Sequence, residues 1–248
     1  VEDNFPVIVT GAAGSVGSAV CSALARSNAQ VVCADLADTG EVVEAIEKAG
    51  GSASGIVLDV ADPSGWQRAV EAAEATYGSV GALINVAGIN MGGNDTVTEV
   101  DLAAWRRVFD VNVIGMALGT SAVLPSMRQR GNGRIVNIAS VAGIRGAKNN
   151  AAYSASKGAV IALTRQAAIE LAGFDITVNA VAPGMMEAGI GGRDRGAQWR
   201  LDFISRQPIP RAVLGSDIAS AVDYLVSPSA AIVTGQVLAV DAGWTASL

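Results

Sequence analysis

Seven short, β-branched runs recur along the chain, separated by longer stretches of helical periodicity. They are PVIVT (6–10), QVVCAD (30–35), SGIVLD (54–59), ALINVA (82–87), RIVNIAS (134–140), ITVNAVAP (176–183) and QVLAVD (236–241). Each is apolar on both alternating faces, as strands read when helices cover both sides of a parallel sheet. Returning a strand parallel to its predecessor takes a right-handed crossover. The pattern therefore predicts a doubly wound α/β fold, a seven-stranded parallel sheet with helices on both faces. Helix starts are marked by Asp62 before Pro63, by Asp101 before a stretch through Arg128, and by Ser216 before DIASAVDYLVS.

No repeat, low-complexity tract or linker divides the 248 residues, so one domain over 1–248 is expected. The rhythm breaks once, in an insertion at about 185–214. Its first half is rich in glycine (Gly189, Gly191, Gly192, Gly196), and Trp199, Leu201, Phe203 and Ile204 supply apolar anchors. Long excursions in compact domains are usually functional or disordered, and the anchors favour an ordered insertion with a mobile front.

Composition removes whole classes of chemistry. The formal charge is −6, from 17 Lys+Arg against 23 Asp+Glu, which disfavours a nucleic-acid partner. Histidine is absent, so Ser-His-Asp and Cys-His nucleophile systems and imidazole metal sites are excluded. Cys21 and Cys33 lack CxxC spacing and read as buried free thiols, and no metal is expected. No uninterrupted apolar run reaches the roughly 18 residues of a membrane span, so no membrane partner is expected. The opening VEDNFPVIVTGAAG carries neither a basic start nor a cleavage site, and a cytoplasmic location is the expectation. Catalysis is left to Tyr, Lys, Ser, Asp or Glu.

The first run leads into TGAAGSVGSAVCSALAR, Thr10–Arg26, a glycine-rich turn that opens a helix. Gly11, Ser15, Val16 and Gly17 would let the backbone approach a pyrophosphate, held by free N–H groups and the helix dipole. Asp35 closes the second run, 18 residues after Gly17, where a carboxylate meets the adenosine ribose hydroxyls. It repels a 2′-phosphate, and Leu36 and Ala37 bring no cation to offset that. The expected cofactor is NAD, not NADP.

YSASK, Tyr153–Lys157, places a phenol and an ammonium four residues apart on one helix face. At an effective dielectric near 20 their interaction is about 3 kcal/mol, a downward push of roughly two units on the tyrosine pKa. That would make Tyr153 a usable base in a chain without histidine. Ser140 closes the fifth run 13 residues earlier, and NVAG, Asn85–Gly88, closes the fourth. Asn112 interrupts apolar helix sequence, either as a satisfied helix contact or as part of a water relay.

Together these residues resemble the short-chain dehydrogenase/reductase family, in its branch with TGxxxGxG and YxxxK motifs, from Val7 to Trp244. The resemblance implies a Rossmann-type domain with Tyr153 as acid/base and Lys157 lowering its pKa and holding the nicotinamide ribose. Ser140 would bond the substrate oxygen, and Asn112 would position a water linking Lys157 to solvent. It puts Asp59 and Val60 at the adenine and Asn85, Ala87 and Gly88 along the cofactor's middle. Pro183, Gly184 and backbone groups near Met186 would meet the nicotinamide. The chain departs from the family pattern at Ser15 (Gly14-Ser15 replaces a glycine at 15), at Val86 and at Ala188, where a threonine is usual.

The expected function is an NAD-dependent oxidoreductase interconverting a secondary alcohol (a polyol, hydroxy-ketone or cyclic alcohol) and its ketone. A 3-oxoacyl thioester reductase is the alternative within the class, and Asp35 argues against it because such reductases generally use NADPH. A nucleotide-sensing protein without turnover would not need Tyr153, Lys157, Ser140 and Asn112 together. Ser140, Ala142, Ile144, Asn150, Tyr153, Met185 and Ile190 are the expected substrate contacts, with Met91, Ala147 and Trp199 nearby in the same loops. Arg193, Arg195 and Arg200 read as solvated surface charge. The resemblance also implies a homotetramer, built on the helical stretches AAYSASKGAVIALTRQAAIELAG (151–173), with the small residues Ala155, Gly158, Ala159 and Ala162, and VFDVNVIGMALGTSAVL (108–124).

Overall fold

The computed structural model describes residues 5–91, 95–187 and 197–247, with the side chains at 197, 199 and 200 outside that description. Strands β1 (Pro6–Thr10), β2 (Gln30–Asp35), β3 (Ser52–Val57), β4 (Ala82–Asn85), β5 (Gly133–Ile138), β6 (Ile176–Pro183) and β7 (Val237–Val240) form one parallel sheet in the order β3-β2-β1-β4-β5-β6-β7. The helices are α1 (Ser15–Arg26), α2 (Gly40–Lys48), α3 (Pro63–Tyr77), α4 (Leu102–Phe109), α5 (Gly115–Arg130), α6 (Val141–Ile144), α7 (Ala151–Leu171), α8 (Ala197–Ile204) and α9 (Gly215–Val226). The order in which strands are added reverses between the parallel neighbours β1 and β4, which opens a crevice at the carboxyl ends of both.

Two apolar layers sandwich the sheet. On one face Val7, Val9, Val31 and Val181 pack against α1 and α9 through Val20, Leu24, Ile218 and Val222. On the other, Ile8, Val32, Leu83 and Ile135 meet Trp66, Val123 and Met127 of α3 and α5. α9 approaches α1 so closely that a Cβ on Gly215 would lie 2.8 Å from the Ser15 carbonyl oxygen.

Local differences from the sequence reading have simple causes. β3 ends at Val57, not Asp59, because its one neighbour, β2, ends at Asp35 and the ladder runs out. Asp62 and Asp101 each accept two backbone N–H bonds at the starts of α3 and α4. Ser216 caps nothing: α9 begins at Gly215, and Asp217 Oδ2 accepts from the Leu214 N–H at 2.8 Å. The helical stretch from Leu102 is not continuous α-helix, since Asp110–Ile114 form a π-turn around Asn112. Leu102–Arg130 has the length and hydropathy of a membrane span, and it packs against β4, β5, α3 and α7. Of the insertion at 185–214, residues 188–196 lie outside the described residues.

Candidate active site

The crevice at the switch point holds a cavity of about 430 Å³. Its floor is the turn after β1. Gly11 sits at φ +65°, and a Cβ there would come within 2.9 Å of the Ala87 nitrogen. A Cβ on Gly17 would run into the Gly11 carbonyl oxygen, so both positions exclude a side chain. Ser15, at the departure from the family glycine pattern, is the exposed first residue of α1, and Gly14 takes the N-cap position. Thr10 braces the same place, its Oγ1 accepting from Val86 N at 3.0 Å and Ala87 N at 3.1 Å.

At the far end, Asp35 Oδ2 accepts from Ala13 N at 2.9 Å and Oδ1 from Ala37 N at 3.0 Å. Leu36, Asp59 and Val60 form the adjoining wall, with Asp59 Oδ1 held by Ala61 N at 2.9 Å. Val16, Ala87, Gly88 and Pro183 continue it toward Tyr153 and Lys157. Arg107, an exposed residue that the sequence reading passed over, also lines the cavity.

α7 delivers Tyr153 and Lys157, both 3% exposed. Lys157 Nζ donates to the Ile138 carbonyl at 2.7 Å and lies 5.8 Å from the centroid of the Tyr153 ring. Burial draws the Lys157 pKa down from 10.5 to about 8. It pushes the Tyr153 phenol up from 10.0 to about 12, while the neighbouring Ser140 hydroxyl pulls weakly the other way. The direction is opposite to the expected downward push by Lys157, because desolvation of the enclosed phenol dominates. The Tyr153 hydroxyl is buried with no hydrogen bond of ordinary geometry. Ser140 is the N-cap of α6, its Oγ accepting from Ala142 N at 3.1 Å.

Asn112 is fully buried on the π-turn. Its Oδ1 accepts from Ile89 N at 2.8 Å, and its Nδ2 donates to the Ile89 carbonyl and to Ser156 Oγ, each at 3.0 Å. The side chain is thus spent on protein groups. A methyl on Gly88 would sit 3.3 Å from both Asn112 Oδ1 and Lys157 Nζ, so glycine keeps open the space those two groups share.

Three residues expected at the cofactor make contacts within the protein. Asn85 donates to Asn137 Oδ1 at 2.9 Å, and Asn137 in turn donates to Thr164 Oγ1 at 3.0 Å; these buried amides tie β4, β5 and α7 together. Gly184 packs on the end of β7, where a Cβ would lie 2.7 Å from the Asp241 Cα. Met186 buries its side chain in the core. The Met185 carbonyl and Glu187 N–H are spent on Val213, which leaves the backbone of Met186 itself facing the other way.

Among expected substrate contacts, Ile144 and Met91 are exposed, Ala142 lies on α6, and Ala147 and Met185 lie in the loops that follow α6 and β6. Asn150 is buried at the start of α7, its Oδ1 accepting from Asn90 Nδ2 at 3.0 Å. Ile190, Ala188, Arg193 and Arg195, and the side chains of Trp199 and Arg200, lie outside the described residues. Among the described residues no group of three His, Cys, Asp or Glu side chains can hold a metal ion.

These features fit a nicotinamide dinucleotide. Gly11 and Gly17 leave a side-chain-free cradle at a helix N-terminus, a carboxylate closes one end, and a phenol without a partner waits at the other.

Comparison with known proteins agrees with this geometry. The sequence model of a family described as Enoyl-(Acyl carrier protein) reductase matches residues 11–245. The chain is 41% identical to 2-(S)-hydroxypropyl-CoM dehydrogenase 3 of Xanthobacter autotrophicus, over 98% of this chain and 97% of that one. It is 38% identical to cis-4-hydroxycyclohexanecarboxylate dehydrogenase of Sinomonas cyclohexanicum, over 96% of each. A solved structure from Beutenbergia cavernae, a putative NAD(P) dependent gluconate 5-dehydrogenase with bound NADP, superposes with a TM-score of 0.92. That pair is 37% identical, over 99% of this chain and 98% of the other.

Proposed function

Because the chain belongs to the short-chain dehydrogenase/reductase family, we propose that it interconverts a secondary alcohol and its ketone with NAD as hydride partner. The observation that carries this reading is the buried Tyr153 hydroxyl without a partner, beside Ser140 and on the same helix as Lys157. A substrate oxygen seated there supplies the missing bond. Relatives named for alcohol oxidation, one of them acting on a cyclic hydroxy acid, support a small secondary alcohol over an acyl thioester.

Bound NAD supplies the hydride acceptor and a positive nicotinamide ring. Ser140 orients the alcohol oxygen. Tyr153, ionised once the cofactor is in place, accepts the hydroxyl proton on its phenolate Oη while the C–H bond gives up its hydride to the cofactor, so the alcohol loses two electrons and two hydrogens in all. Lys157, fixed by the Ile138 carbonyl and 5.8 Å from the Tyr153 ring centroid, would hold the ribose. Charge and position stabilise the transition state.

Asp35 supports NAD over NADP. Its two oxygens are locked by Ala13 and Ala37, so the carboxylate cannot swing away from a 2′-phosphate. The NADP-bound relative makes this a point to measure. Screening secondary alcohols with each cofactor, and following reduced-cofactor absorbance, tests the reading. A preference for NAD of at least about tenfold in kcat/KM is expected, equivalent to about 1.4 kcal/mol. Turnover with no alcohol or ketone would overturn it.

The active unit in this reading is a homotetramer. Exposed Ile114 and Ile169, on the long helical stretches proposed to pair, give each copy apolar surface to cover. A sedimentation coefficient of a monomer at micromolar concentration would contradict that assembly.

A further inference from the structure

Three amides open α7 without an acceptor in their own helix, those of Ala151, Ala152 and Tyr153. All three turn to one residue. Ala151 N donates to the Asp95 carbonyl at 3.0 Å, Ala152 N to Asp95 Oδ2 at 2.8 Å, and Tyr153 N reaches the same oxygen at 3.5 Å. The residue in the ordinary N-cap position, Asn150, makes no side-chain cap bond, and its Oδ1 accepts from Asn90. Asp95 thus caps the helix from 57 positions upstream of Ala152.

We propose that Asp95 is a positioning residue for proton transfer, setting the Tyr153 hydroxyl by holding the first turn of α7. The proposal rests on the alcohol–ketone reading above. Tyr153 stands in that first turn, so a frayed turn moves its ring. Lys157 stands one turn further in and has its own anchor at the Ile138 carbonyl, so it stays. Losing the cap therefore separates the two residues that must act together. It should weaken chemistry and leave cofactor binding alone, because the glycine-rich turn and Lys157 are untouched.

Asp95→Ala and Asp95→Asn, made in the full chain, test this. In Asp95→Ala, kcat should fall about tenfold, the scale of a lost N-cap, while the Kd for NAD stays within about twofold. Asp95→Asn keeps an acceptor at the same place and should recover most of kcat, since Asn and Asp cap about equally well. Hydrogen exchange at residues 151–153 should quicken in Asp95→Ala and return toward wild type in Asp95→Asn. The proposal falls if Asp95→Ala retains full kcat, if NAD affinity drops in step with kcat, if Asp95→Asn is no better than Asp95→Ala, or if amide exchange is unchanged. If wild-type protein oxidises no alcohol, the functional reading fails, and amide exchange still reports on the cap.

Discussion

Asp35 Oδ2 accepts a hydrogen bond from the Ala13 amide at 2.9 Å, so the carboxylate after β2 holds the glycine-rich turn after β1. Cofactor choice and cofactor affinity are therefore joined in one side chain. Asp35→Ala removes the repulsion toward a 2′-phosphate and frees two backbone donors, those of Ala13 and Ala37. At about 1.4 kcal/mol for the turn's lost order, NAD should bind roughly tenfold more weakly. The NAD-to-NADP ratio of kcat/KM should narrow at the same time. Narrowing with unchanged NAD affinity would mean that Asp35 selects the cofactor without shaping the turn.

The glycine cradle is a matter of space. Because a Cβ on Gly17 meets the backbone oxygen of Gly11, which cannot rotate aside, Gly17→Ala must displace α1 or the turn. Titration of the purified variant should show NAD affinity reduced at least about tenfold, alongside a stability loss of about 1–3 kcal/mol typical of overpacking. Wild-type affinity in Gly17→Ala would show that the turn adapts.

Tyr153→Phe keeps the ring and removes the proton-carrying oxygen. Turnover should fall by at least about 10²-fold, the usual worth of a general base, with NAD still bound. Lys157→Ala should weaken both turnover and NAD binding. In wild type without NAD, tyrosinate difference absorbance against Tyr153→Phe should show no Tyr153 ionisation until near pH 12. The pH dependence of kcat should then report a lower apparent value, because a cationic ring beside the phenol favours its charged form. More than about a tenth of wild-type turnover in Tyr153→Phe would send the proton by another route.

The sequence carried the central strands because they are buried on both faces, and a run such as ITVNAVAP has no exposed face to mislead; the edge strands β3 and β7 are partly exposed and were legible by their β-branched residues and spacing. Tyr153, Lys157, Ser140 and Asp35 were legible for a related reason, standing at strand ends or at helical spacing, where local pattern fixes geometry. What escaped depends on contacts distant in sequence. Asp95 caps α7 across 57 residues, and Thr10 braces Val86 across 76. Asn85 and Met186 sit beside cleft residues in sequence but face the interior, where amide pairing and core packing claim them. The desolvation that reversed the Tyr153 shift likewise depends on enclosure by the whole fold.

The same enclosure gives a pH signature in stability. Lys157 titrates at about 8 in the folded protein against 10.5 for the free group. Between those values the unfolded chain binds a proton that the folded chain does not, so stability rises with pH from about 8 to about 10.5. Below pH 8 both states carry the charge, and the folded state bears the full cost of burying it. Tyr153 has the opposite sign: with its phenol raised from 10.0 to about 12, the unfolded chain loses a proton first, and stability falls across that window. The two contributions combine to a maximum near pH 10. Denaturant unfolding of wild type and Lys157→Met isolates the lysine. The wild type should gain on the variant by about 3 kcal/mol between about pH 7 and pH 10. A difference that stayed flat over that range would mean that the Lys157 ammonium is not disfavoured by its burial.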